Sequence, residues 1–288
     1  MIVKKVLLDA NGYPTLLAAI PDAPKQLFYK GTELGDLLAR PRVAIVGSRK
    51  VTAYGRSVTS ELAAGLARLG VVIVSGLAYG VDSIAHRAAL EAGGTAIAVL
   101  PSGLDAIYPG THVGLAQQIL DQGGALVSEY PPETIAYKSN FVARNRIVSG
   151  LSDAVLIPEA AAKSGTLHTA HFALEQGREV LAVPGNITSA NSAGTNALIK
   201  DGATPITNLA DILQALGLEE VQQQALAVGD NPEEQRILDL IMAGTAAASE
   251  LLAASQQTAA NFNQTMTMLE ISGKIRALGA GMWSLARG

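Results

Sequence analysis

Six short apolar runs, at residues 43–46, 71–74, 96–100, 125–127, 154–157 and 180–183, recur along the chain with almost no polar alternation inside them. Between them lie stretches of helical composition and period at 54–69, 81–92, 113–121, 140–151 and 166–176. Strands that are apolar on both sides need cover on both faces. The alternation therefore predicts a parallel sheet clad by helices on each side, a doubly wound α/β domain. A lead-in of residues 1–40 precedes it, with a turn at Tyr13-Pro14 and a short strand at 26–31 closing on glycine, and is expected to pack on the main domain. A last small unit at 203–206 and 210–216 completes a domain of residues 41–216.

The pattern then changes. Residues 217–232 carry Glu219-Glu220, Gln222-Gln223-Gln224 and Gly229-Asp230-Asn231-Pro232, the composition of a linker. Beyond it, 233–242, 247–255 and 259–272 read as three helices, and 274–285 as two short strands around a glycine turn. Three helices and a terminal hairpin over 233–288 predict a winged-helix-like unit, though the same periodicity fits any small helical cap. From Asp230 onward there are six acids and four bases, a poor balance for reading a DNA groove, so a protein-contact role suits it better.

Composition narrows the partners. The 288 residues carry a net charge of −4, so any positive potential that attracts nucleic acid must be local. No apolar run approaches the roughly 18 residues of a membrane span, and no secretory h-region follows Lys4-Lys5. Cysteine is absent, which removes disulfides, thiol catalysis and thiolate metal sites and fits a cytoplasmic location.

Tyr137-Lys138-Ser139-Asn140-Phe141-Val142-Ala143-Arg144-Asn145-Arg146 concentrates three cations and aromatic rings where both are otherwise sparse. It stands at the start of a helix, and cations beside a ring suit an unpaired nucleic acid: charge for phosphate, a flat face for a base. A solvated helix start with Phe141 in the core fits the same spacing. Four strand ends carry similar loops: Gly47-Ser48-Arg49, then Ser75-Gly76-Leu77-Ala78-Tyr79-Gly80, then Ser164-Gly165-Thr166, then Pro184-Gly185-Asn186 with Gly194-Thr195-Asn196. One glycine loop makes a tight βα turn and nothing more. Four on one rim, beside Arg49 and Lys138, predict a surface that binds phosphate. The first turn lacks Gly-x-Gly-x-x-Gly, Ser75 replaces an acid at the end of the second strand, and no Gly-Lys-Ser/Thr loop occurs. Neither a nicotinamide cofactor nor a phosphate-loop ATPase is expected.

Catalytic candidates are sparse. His168 and His171 share a helix face without an obvious third ligand, so no metal site is expected. Asp82 precedes His86 by one turn as a helix N-terminal charge. Glu159 at a strand end is the most enzyme-like group, with no nameable partner.

Taken together, these stretches resemble the DprA (Smf) family of bacterial DNA-processing proteins. The resemblance rests on Ala44-Ile45-Val46-Gly47-Ser48-Arg49, on Ser75-Gly76-Leu77-Ala78-Tyr79-Gly80-Val81-Asp82 with Ala85-His86, on Tyr108-Pro109 and on Ser128-Glu129-Tyr130-Pro131. It continues through Phe141 with Arg144-Asn145-Arg146, Glu159-Ala160, Ser164-Gly165-Thr166-Leu167-His168, Pro184-Gly185 and Gly202-Ala203. The resemblance implies a Rossmann-like domain that binds and protects single-stranded DNA, helps load the recombinase RecA during natural transformation, and forms homodimers through that domain, with no cofactor. Its DNA pocket would comprise Arg49, Lys138, Phe141, Arg144 and Arg146 over a floor of Gly47, Ser48, Gly76, Ser164 and Gly165. The tail resembles the family's winged-helix domain more loosely. His168 departs from a usually apolar position, and the N-terminal helical domain of many relatives is not expected here. The alternatives are a Rossmann-like nucleotide enzyme of the phosphoribohydrolase kind using Glu159 and Arg146, or a nucleotide sensor.

Overall fold

A computed structural model describes residues 2–218, 228–279 and 281–286. The chain divides into two compact units, Met1–Leu216 and Gly217–Gly288. The linker expected at 217–232 falls largely on 219–227, outside the described residues.

The larger unit is built on a nine-stranded sheet: β1 (Lys4–Leu7), β2 (Gln26–Gly31), β3 (Arg42–Ile45), β4 (Val72–Ser75), β5 (Ala96–Val99), β6 (Ala125–Ser128), β7 (Ala154–Ile157), β8 (Glu179–Ala182) and β9 (Thr204–Pro205). Their order across the sheet is β1-β2-β6-β5-β4-β3-β7-β8-β9. Strands β3 to β9 run parallel. Residues 1–40 do more than pack on this domain. They supply β2, antiparallel to β6, and β1, antiparallel to β2, which extend the same sheet.

Each of β4 to β7 is buried at all four positions, which is why those runs show no alternation. Successive residues serve opposite faces. Ile97 and Val99 join a cluster with Leu17, Ile147 and Ala170, whereas Ala96, Ala98 and Leu100 pack with Leu115 and Ile119. The helices of this unit are α1 (Thr15–Ala18), α2 (Leu34–Leu38), α3 (Ala53–Arg68), α4 (Val81–Glu91), α5 (Val113–Asp121), α6 (Lys138–Gly150), α7 (Thr166–Glu175), α8 (Ala193–Lys200) and α9 (Leu209–Ala215).

Strand order places the site. From β3 the chain steps outward through β4, β5 and β6, then returns across α6 to lay β7 on the other side of β3. The loops after β3 and β7 therefore part in opposite directions, and a crevice opens between their carboxyl ends.

The second unit comprises α10 (Pro232–Met242), α11 (Ala248–Ser255), α12 (Ala259–Ile271) and the antiparallel pair β10 (Ile275–Gly279) and β11 (Met282–Leu285). Asn231 caps α10 by accepting from Glu234 N, with Pro232 in the first turn, and Thr258 caps α12. Ile237, Leu251, Phe262, Leu269 and Ile275 form its core. A bridge between Ala247 and Met282 ties the hairpin to the helices. This is a winged-helix arrangement.

Candidate nucleic-acid interface

At the switch point lies a cleft of ≈ 460 Å³. Gly47, Ser48, Arg49 and Lys50 form one wall after β3, Ser164, Gly165, Thr166 and Thr169 another at the start of α7, and Phe141, Val142, Arg144 and Asn145 of α6 close the third. Asp82 and Val46 also line it. Each wall has a local cause. Ser48 N donates to Glu159 O at 2.8 Å, and Thr166 Oγ1 donates to Gly47 O at 2.9 Å, so the β3 and β7 loops hold each other. Gly165 has open space where a side chain would project, with no atom within 4 Å of a Cβ built there. A ligand can approach that backbone closely.

Arg144 is 3% exposed. Its Nη1 donates to Gly76 O and Val99 O, and its Nε to Asn145 Oδ1 at 3.3 Å. Burial pushes the guanidinium down to about 10, with Asp82 opposing the shift and Arg49 adding to it, so Arg144 stays charged at neutral pH. Asp82, 6% exposed, accepts from Gly76 N at 3.1 Å and Ala78 N at 3.4 Å. Burial pushes its carboxyl up, against the pull of Arg144 and those two N–H groups.

Phe141 is half-buried in the wall rather than sunk in the core. The Arg49 guanidinium carbon lies 5.5 Å from its ring centroid, and Tyr108 meets it edge-on at 5.1 Å. A smaller recess beside the cleft is lined by Arg49, Gly76, Tyr79, Tyr108, Phe141 and Arg144.

Of the residues expected from sequence, Gly47, Ser48, Arg49, Phe141, Arg144, Ser164 and Gly165 come together in the cleft, and Gly76 lies beneath Arg144. Lys138 is exposed in the first turn of α6, just before Phe141 and Val142, but outside the cleft walls.

Arg146 is the correction. It is 8% exposed, with Nε donating to Asp22 Oδ2 at 3.0 Å and Nη2 to Glu129 Oε2 at 2.6 Å. Residues two apart on a helix point about 200° apart, so Arg144 and Arg146 cannot both face the cleft. Arg146 ties α6 to the N-terminal lead-in and to the end of β6, with its charge neutralised.

Lys50, Asn145, Thr169 and Asn191 line the cleft and were not expected. Asn145 lies four residues after Phe141 and Thr169 three after Thr166, so helical spacing could have found both; no sequence signal marks Asn191.

The other titratable candidates are engaged or isolated. Glu159, 2% exposed, accepts from Thr52 N and Thr52 Oγ1, the residue that caps α3. His171 pairs with Glu175 at 3.2 Å, while His168 is exposed. His86 is fully buried with neither ring nitrogen partnered, and burial pushes it down to about 3. At the fourth loop, Asn196 clasps Gly185 through both its amide groups. No helix among the described residues is long and apolar enough to cross a membrane.

Comparison with known proteins adds the family. The profile of the DNA recombination-mediator protein A family matches residues 4–217, and that of the DprA winged helix domain matches residues 221–281. Protein Smf of Escherichia coli is 49% identical over 208 residues, covering 72% of this chain, and the chain spans only 55% of that relative's length. The X-ray structure of DNA processing protein A from Streptococcus pneumoniae superposes with a TM-score of 0.69 at 42% identity, covering 73% of each chain. DNA processing protein A from Helicobacter pylori, solved in a study of its single-stranded DNA binding mode, superposes at 0.66 with 36% identity, covering 74% of this chain and 95% of that one. With the matching loops gathered at one switch point and a winged helix following, the chain belongs to the DNA recombination-mediator protein A family, the DprA/Smf family of DNA-processing proteins.

Proposed function

We propose that this chain binds single-stranded DNA along the carboxyl rim of its sheet, protects the incoming strand, and helps load the recombinase RecA during natural transformation. The observation that carries the reading is the cleft itself. A molecule of net charge −4 places Arg49, Lys50 and Arg144 beside an exposed helix start at Gly165 and the half-buried ring of Phe141. Cations and N–H groups suit phosphates, and the ring suits a base. The single-stranded DNA binding named for the Helicobacter pylori relative supports it.

In this reading the protein is a binder and not an enzyme, since Glu159 is spent on capping α3 through Thr52. It works in the cytoplasm as a homodimer through the Rossmann-like domain of residues 41–216. The winged-helix unit contacts protein, because α12 carries no Lys or Arg with which to hold a phosphate backbone.

Fluorescence anisotropy with labelled single- and double-stranded oligonucleotides across a salt series tests the central claim. Tight binding of the single strand, weakening as salt rises, is expected; indifference to both forms at low ionic strength overturns it. Nucleation of RecA on protein-coated single strands tests loading, and light scattering after size exclusion tests the dimer.

A further inference from the structure

The loop after β8 borders a second space on the same rim. A pocket of ≈ 530 Å³ is lined by Thr52 and Tyr54 on one side and by Pro184, Asn186, Ser189 and Ser192 on the other, with no charged side chain in its wall. Tyr54 is 49% exposed, and its hydroxyl donates to Pro184 O at 2.8 Å, so the ring is held at both ends and presents a fixed face. Ser192 is 5% exposed, packed so tightly on Gly185 that a methyl group built there would stand 2.2 Å from Ser192 Oγ. That hydroxyl makes no hydrogen bond among the described residues and is not sealed from solvent. A buried hydroxyl left without a partner at the wall of an open pocket is satisfied by a polar atom entering it. Ser189 Oγ is unpartnered in the same way, and Asn186, whose Oδ1 accepts from Thr188 N at 2.9 Å and Thr188 Oγ1 at 2.8 Å, keeps its amide nitrogen free. The pocket shares no lining residue with the cleft, but Lys50 and Asn191 of the cleft stand two residues from Thr52 and one from Ser192. Two residues of chain span at most about 7 Å.

We propose that this pocket is a separate base site, which takes one base of the strand beyond the cleft, stacked on Tyr54 with its polar edge against Ser189, Ser192 and Asn186. The inference rests on the single-strand reading above and adds to it a site at the other side of the 184–192 loop. With no cation in its wall the pocket has nothing to neutralise a phosphate. An aromatic face beside neutral donors and acceptors fits a base instead. A serine hydroxyl donates or accepts as its partner requires, so the site tolerates any base. It does not tolerate a duplex, whose bases are stacked on one another and paired along the same edge. Because the Tyr54 ring is already tethered to Pro184, little side-chain freedom is lost when a base lands on it.

The test uses the full chain and oligothymidylates of increasing length. Wild-type affinity should step up at least about fivefold at the length that first reaches Tyr54. Tyr54→Leu should lose that step, bind the shorter oligomers as the wild type does, and keep the salt slope. A step that survives Tyr54→Leu overturns the inference while leaving the single-strand reading standing. No binding of any length at low salt overturns both. Tyr54→Phe keeps the ring face without the tether to Pro184 and should keep most of the step; a loss equal to that of Tyr54→Leu assigns the effect to the tether and overturns the inference. A second measurement needs no variant. With thymine replaced by 5-iodouracil at one position at a time, irradiation should join one position to Tyr54 and a different one to Phe141, read by mass spectrometry of the peptides. Cross-links that never reach Tyr54 overturn the inference, and this result decides alone if Tyr54→Leu does not fold.

Discussion

The guanidinium of Arg144 lies so close over Gly76 that a methyl group built on Gly76 would stand 2.3 Å from Arg144 Nη2. Gly76 is therefore glycine because a buried cation occupies the space of its side chain. Gly76→Ala must push Arg144 from its carbonyl partners. Overpacking of this kind costs about 1–3 kcal/mol of stability, and oligonucleotide affinity should fall at least tenfold. Urea denaturation beside anisotropy checks both; a variant with wild-type binding would detach Arg144 from the site.

Gly165 is the opposite case, a glycine with empty space in front of it. Its φ of −61° suits any residue. Gly165→Ala should leave the denaturation midpoint unchanged and, on the proposed single-strand reading, still weaken oligonucleotide binding, because the added methyl projects into the open space of the cleft. Loss of stability without loss of affinity would contradict this.

Charge and stacking should separate in a salt titration. Arg49→Ala and Lys138→Ala each remove one exposed cation and should flatten the log–log salt slope by about 0.7. Phe141→Ala should weaken binding by roughly 1–3 kcal/mol with the slope nearly intact. Anisotropy at several salt concentrations reads both quantities, and an unchanged slope for Lys138→Ala excludes that residue from phosphate contact.

Arg146→Ala should behave as a stability mutant. It strips Glu129 of its partner while that carboxylate is 15% exposed, whereas Asp22, at 84%, contributes little. Breaking so buried a pair costs about 3–5 kcal/mol, with no change in salt slope. A flattened slope would return Arg146 to the phosphate surface.

His86 sets an acid limit. Its folded value, depressed to about 3 by burial with Arg144 and His112 adding to the shift, lies below the ordinary 6.5. The folded protein thus binds fewer protons, so the stability this neutral imidazole contributes is complete above 6.5 and drains as pH falls toward 3. The loss reaches about 1.4 kcal/mol per pH unit in that window. His86→Leu should remove one proton's worth of that slope and, by deleting two unpartnered nitrogens, raise stability near pH 5. Urea midpoints between pH 7 and 4 measure it; identical slopes would show that His86 does not titrate there.

Much of the architecture was legible because burial leaves a one-dimensional trace. Val72, Ile73 and Val74 are all buried, so the run reads as apolar without knowledge of its neighbours. The same holds for the glycine loops at strand ends. Strand β1 leaves no such trace, because Lys4, Lys5 and Leu7 are exposed at the edge of the sheet and Val6 is only partly covered, so no apolar run forms. Arg146 was misplaced because closeness in sequence is not closeness on a helix. Its partners stand 124 and 17 residues away, one in the lead-in and one at the end of β6.

By itself the sequence determined the central strands and helices of residues 41–216, that three helices and a hairpin follow, and that cations and rings gather near residue 140, since each depends on residues adjacent in the chain. Only the tertiary structure decided which cation faces the cleft, that Glu159 is bound to Thr52, and that Asp82 and Arg144 share Gly76. Those outcomes depend on strand order. Laying β7 beside β3 opens the crevice and turns α6 so that Arg144 points into it and Arg146 away, and no local pattern of residues carries that information.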